Sequence, residues 1–107
     1  MDSKDKRVQE IQILEQTLYN LSFQKQSFQL ELSETIETLS NLEYSNGDIF
    51  KIVGQLMIKS DKKKIKEELL NKQKLLELRL KSIEKEENSL AEKVTSLRQG
   101  LINQNKK

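Results

Sequence analysis

The chain has 107 residues, 35% hydrophobic and 34% charged, with three Phe, two Tyr, no Trp and a net charge of +2. With neither Cys nor His, it is denied disulfide frameworks, thiolate metal sites, thiol nucleophiles and the usual general base near neutral pH. A compact globule of this length would carry more apolar residues, whereas paired helices need only a thin apolar stripe.

The first segment carries that stripe. Ile11, Leu14, Leu18, Leu21, Phe28, Leu32, Leu39 and Leu42 advance in steps of three and four, interrupted only at Lys25 and Thr35. The spacing predicts a helix from about Asp5 to Glu43, roughly 55–60 Å long at 1.5 Å per residue. The chain contains no Pro to break it. Asn46-Gly47 should end it, because both residues tolerate positive φ.

A short apolar segment with no helical period follows, from Asp48 to Lys59. Gly54-Gln55 suits a two-residue type II′ turn, which takes Gly first. That register sets Val53 opposite Leu56, Ile52 opposite Met57 and Phe50 opposite Lys59. One face then carries Ile49, Val53, Leu56 and Ile58, and the other Phe50, Ile52 and Met57. An isolated two-stranded hairpin is marginal in water, and one with two apolar faces and two free edges invites other strands. Intermolecular packing is the expected outcome, over folding back onto its own helices.

A second stripe comprises Leu69, Leu76, Leu80, Ile83, Leu90, Val94, Leu97 and Leu101, interrupted at Gln73 and Glu87. Ser60 or Asp61 can cap this helix. It should run over about 61–103, with Gly100 loosening its last turn and the residues from Asn105 to Lys107 forming a tail. The expected fold is mainly α: a long antiparallel two-helix coiled coil joined by a single β-hairpin, one domain over 1–107. The charge split favours pairing of the two stripes over self-pairing of either. Residues 1–48 hold four bases against nine acids, a net of −5, and residues 49–107 hold 15 against 8, a net of +7.

Several features invite a functional reading. Antiparallel pairing puts Val8, Ile11, Ile13 and Leu14 near Val94, Leu97, Leu101 and Ile102, at a tip made from both termini. Ends of coiled coils open readily, and apolar side chains exposed there would hold unfolded chains weakly and without sequence preference. Phe23 and Leu30, with Ile13, lie off the stripe and could form a lateral apolar surface. Lys25 and Glu87 interrupt the stripes as a register device, with the hairpin register placing Lys25 nearest Glu84 and one turn from Glu87. Lys62-Lys63-Lys64 with Lys66 lacks interleaved aromatics and is followed by Glu67 and Glu68. It reads as a solvated face, or as charge complementing Glu37 and Glu43, and no nucleic-acid partner is expected. No phosphate-cradling Gly loop, catalytic pocket, metal or cofactor is expected. No apolar run approaches the roughly 20 residues of a membrane span, and the opening residues lead into no apolar signal core, so a cytoplasmic location is expected.

The stretch from Asp48 to Lys59, DIFKIVGQLMIK, together with Leu78-Arg79-Leu80, resembles the β class of prefoldin subunits. Ser45-Asn46-Gly47-Asp48 fits the polar turn before the first strand. The likeness is to the archaeal β type, then to the sixth subunit of the eukaryotic assembly. Gln55 departs from the Pro or Thr found in many relatives. The resemblance implies a hexamer of two α-class and four β-class subunits, whose hairpins join into two β-barrels. Ile49, Phe50, Ile52, Val53, Leu56, Met57 and Ile58 would build that body. It implies an ATP-independent chaperone whose coiled-coil tips hold unfolded client proteins and pass them to a group II chaperonin, which Lys106 and Lys107 would suit if its surface is acidic. The rival reading is a structural coiled-coil assembly factor without client binding.

Overall fold

Helix α1 (Ser3–Glu43) forms where 46 residues pass without Gly or Pro and the apolar stripe repeats every three or four positions. Strands β1 (Ile49–Val53) and β2 (Leu56–Ser60) follow, then helix α2 (Lys62–Asn105). The protein is seen in a computed structural model that describes residues 3–105. The order of helix, hairpin and helix is the expected one. The Lys106-Lys107 pair of the expected tail lies outside the described residues.

The punctuation between elements is local. The Ser45 N–H donates to the Leu42 carbonyl at 3.2 Å, closing the last turn of α1. Gly47 alone takes the left-handed conformation there, with φ +105°, so the tolerance of Asn46 goes unused. The hairpin turns at Gly54, with φ +62°, and Gln55 keeps a negative φ as a type II′ turn requires. The register is the expected one, with Val53 opposite Leu56, Ile52 opposite Met57 and Phe50 opposite Lys59. Asp61 takes the N-cap position of α2: its carbonyl accepts the Ile65 N–H at 3.0 Å. The Ser60 hydroxyl instead bonds back to the Ile58 carbonyl at 3.2 Å.

The chain divides into two compact units. One contains residues 1–27 and 80–107, in which the first part of α1 packs on the last part of α2. Its core is Ile11, Leu21, Ile83 and Val94, with Leu14, Leu18, Leu80, Leu90, Leu97 and Leu101 half-buried around them. The other contains residues 28–79, with the hairpin. There Leu42, Leu76 and Thr35 are buried and Phe28, Leu32, Leu39 and Leu69 half-buried. In both units the inward residues are the stripe residues, as helix pairing along a seam demands.

Two polar interruptions of the seam are reconciled with burial in different ways. Thr35 is 3% exposed, and its hydroxyl donates to the Glu31 carbonyl one turn back at 2.8 Å, so no buried donor is orphaned. Lys25 donates to Glu87 at 3.2 Å, while Glu84 stands at 3.9 Å. The partner order is thus the reverse of the expected one. Lys25 and Glu87 both occupy inward stripe positions, whereas Glu84 sits on the exposed flank. Gly100 also departs from expectation: α2 continues through it to Asn105. A Cβ there would meet the Arg7 guanidinium, with Nη1 at 3.2 Å, so the bare backbone makes room for a side chain from α1.

Candidate functional site

The hairpin exposes a continuous apolar surface. Of its predicted assembly residues, Ile49 is half-buried, and Phe50, Ile52, Val53, Leu56, Met57 and Ile58 are all exposed. Ile52, Leu56 and Met57 are 71%, 67% and 68% exposed. The alternation of strand side chains explains why. Phe50, Ile52 and Met57 share one face and Ile49, Val53, Leu56 and Ile58 the other, and the two strands pair only with each other. The two β1–β2 outer edges therefore carry unpaired backbone groups beside apolar side chains, the combination that accepts further strands.

Charged groups fix the hairpin's base rather than covering its faces. Lys51 bonds Glu68 on α2 at 3.1 Å, and Lys59 lies 3.5 Å from Asp48. The Lys62 ammonium donates to the Ser45 carbonyl at 3.0 Å. Lys66 pairs with Glu43, as the charge reading anticipated, and its hydrogen bond holds the Glu43 carboxyl below its ordinary pKa, with added attraction from Lys62. Glu37 takes no part in the ion pairs of the described residues. This use of Lys62 and Lys66 accounts for half of the basic cluster without invoking a phosphate partner.

The predicted tip residues all fall in the unit formed by residues 1–27 and 80–107. They are not equivalent. Ile11 and Val94 are buried in its core, and Leu14, Leu97 and Leu101 are half-buried. Val8, Ile13 and Ile102 are exposed. Of the eight, only this last group is exposed to another molecule. Arg98 and Glu15 form an ion pair across the two helices beside these residues, at 2.6 Å.

Three features escaped the sequence reading. Tyr19 and Phe23 form an edge-to-face pair with centroids 4.8 Å apart. Their i, i+4 spacing was the available signal. Arg79 lies over the Phe28 ring, 5.8 Å from its centroid, a long-range contact that no local pattern encodes. Leu70, Leu75 and Leu78 are exposed on α2 despite being leucines in a heptad-like helix. They sit outside the inward stripe, which Leu69, Gln73, Leu76 and Leu80 occupy. Among the described residues, no helix is long and apolar enough to cross a membrane.

The comparisons with known proteins agree with this geometry. The family described as prefoldin subunit matches residues 5–107. The prefoldin subunit beta of Thermococcus onnurineus is 45% identical over 78 residues, covering 71% of this chain and 67% of that one. The prefoldin subunit beta of Saccharolobus islandicus is 38% identical over 95 residues, covering 87% and 75%. The crystal structure of the prefoldin beta subunit from Thermococcus strain KS-1 superposes with a TM-score of 0.91 at 29% identity, covering 100% of this chain and 96% of that one. A two-helix seam closed by one hairpin, matched over residues 5–107 by the family and over the whole chain by the solved structure, makes this chain a member of the prefoldin subunit family, of the β type.

Proposed function

We propose that the chain is a single-domain cytoplasmic subunit of an ATP-independent holdase. Its hairpin joins those of α-class partners and other β copies in a hexamer of two α and four β subunits, where the strands close into barrels. The helical ends stay free, hold unfolded protein, and pass it to a group II chaperonin. The observation that carries this reading is the exposure of both hairpin faces in a chain with the β-type prefoldin fold. So much apolar strand surface finds cover only against other subunits. Val8, Ile13 and Ile102 are the accessible members of the client-binding set. Ile11, Leu14, Val94, Leu97 and Leu101 join them when the helix ends fray. Each contact is weak, and several subunits acting together supply avidity.

The test uses the assembled oligomer and a thermally unfolding client followed by light scattering. Val8→Ser, Ile13→Ser and Ile102→Ser together should leave the oligomer mass unchanged and markedly reduce aggregation suppression. Full suppression by the triple variant would overturn the tip assignment. An assembled wild-type oligomer that suppresses nothing would favour a purely structural coiled-coil factor.

A further inference from the structure

In a chain that is 34% charged, the stretch from Gln16 to Ser27 contains one charged residue, Lys25. Lys25 is turned into the seam and committed to Glu87 and Glu84. The outward side of α1 over this stretch is therefore electrically silent. At its centre stand Tyr19 and Phe23, 59% and 56% exposed, stacked edge to face. Their rim is made of amides and hydroxyls: Gln16, Asn20, Ser22 and Gln26, all exposed, with Gln16 donating to Asn20 at 3.2 Å. The α2 surface of the same unit is the opposite in character, exposing Lys81, Lys85 and Glu86.

We propose that Tyr19 and Phe23 form a lateral docking face for short uncharged, apolar segments of non-native polypeptide, distinct from the helix ends. The proposal rests on the holdase reading and names a second place where a client is held. Two arguments select this occupant. The first is charge: a face with no free ionic group gives a charged folded surface no compensation for its desolvation, while an apolar segment brings no charge to desolvate. The second is area. Two aromatic side chains bury at most about 150–250 Å² each, and at their exposure they offer roughly 250 Å² together. A stable interface between folded proteins takes about 800 Å² per partner, so a second copy of this chain would find too little to hold. A short segment of an unfolded chain, held weakly and repeatedly, needs no more. Rigid aromatics suit that task because they present contact area at a small cost in side-chain entropy.

The experiment places the photoreactive residue p-benzoylphenylalanine at position 23, and separately at position 13, in the full chain assembled with its partner subunits. The probe is a reduced, carboxamidomethylated protein that stays unfolded. Cross-linking of the probe from position 23, undiminished between about 0.1 and 1 M sodium chloride where charge interactions are screened, is expected. In parallel, Tyr19→Ser with Phe23→Ser should leave helical content and oligomer mass unchanged and weaken probe binding by at least about fivefold. Cross-linking from position 13 but not from position 23 would overturn the lateral face and leave the holdase reading standing. Capture of another subunit from position 23, in place of the probe, would overturn it by showing that the face is covered in the assembly. Absence of probe cross-links from both positions would overturn the lateral face and the holdase reading together.

Discussion

Lys25 shows how one residue serves two requirements of a helical seam. Its side chain is 30% exposed and that of Glu87 21%, so neither charge is fully desolvated, yet neither is solvated like a surface pair. Removing one partner should cost more than removing a surface charge, because the other is left without its closest counter-charge. Glu87→Ala should lower the stability of the isolated chain by about 1 kcal/mol in urea unfolding, above the cost of truncating an exposed pair. Replacing both residues, Lys25→Met with Glu87→Met, should restore that stability or exceed it. Equal costs for Glu87→Ala and Glu15→Ala would show that the seam position confers nothing special. Glu43 makes a separate point about charge at the surface. Its carboxyl is held below its ordinary pKa by Lys66 and then Lys62. The folded state thus binds that proton less readily than the unfolded chain. The resulting stabilisation is fully present above the ordinary carboxylate value and is lost as pH falls through the lowered one. Glu43→Gln should remove that increment at neutral pH and leave stability in strong acid unchanged, so this part of the profile flattens. A variant whose acid limb matches the wild type would show that the Lys66 contact makes no difference in solution.

At the level of elements, the hairpin depends on its turn and the helices on their stripes. Gly54 has φ +62° and open space around its missing Cβ, so a substitution there meets backbone strain and no clash. Gly54→Val should cost about 1–2 kcal/mol of hairpin stability, since a β-branched residue resists the left-handed region. Faster amide exchange at Val53 and Leu56, with the helical amides unaffected, is the expected signature. Equal exchange rates in both proteins would mean that the turn is not held as described. The helices ask less of individual positions. Thr35 is tolerated in the seam because its hydroxyl finds an acceptor within α1, the Glu31 carbonyl. The stripe was readable because seam burial depends on a period, which is written in the sequence. The exposure of Leu70, Leu75 and Leu78 is the reverse case, where composition alone suggests core and only their angle on the helix says otherwise.

For the molecule as a whole, the charge split of the sequence reappears as ion pairs between helices. Arg98–Glu15 in one unit and Lys66–Glu43 and Lys72–Glu31 in the other each join an acid of α1 to a base of α2. Lys25–Glu87 runs the opposite way and is the pair set into the seam. Exposed pairs of this kind contribute little stability, and they bias which helices pair and in what direction. In the proposed assembly the hairpin governs the next step, from chain to oligomer. Phe50 is exposed in the isolated chain, so Phe50→Asp should leave its helical content unchanged. In the assembly the new carboxylate would be buried without a partner, and the oligomer should dissociate in sedimentation analysis. An unchanged mass would place the subunit contacts elsewhere.

The sequence by itself determined the two helices, the turn at Gly54, the hairpin register and the resemblance to β-type prefoldin subunits. These features are set by local periodicity and backbone preference, which act within a few residues. Tertiary structure decided the rest: that Lys25 meets Glu87 more closely than Glu84, that Arg7 lies against Gly100, and that Arg79 covers Phe28. Each depends on the rotation and offset of one helix against another, to which many distant contacts contribute at once and which no single stretch of sequence encodes.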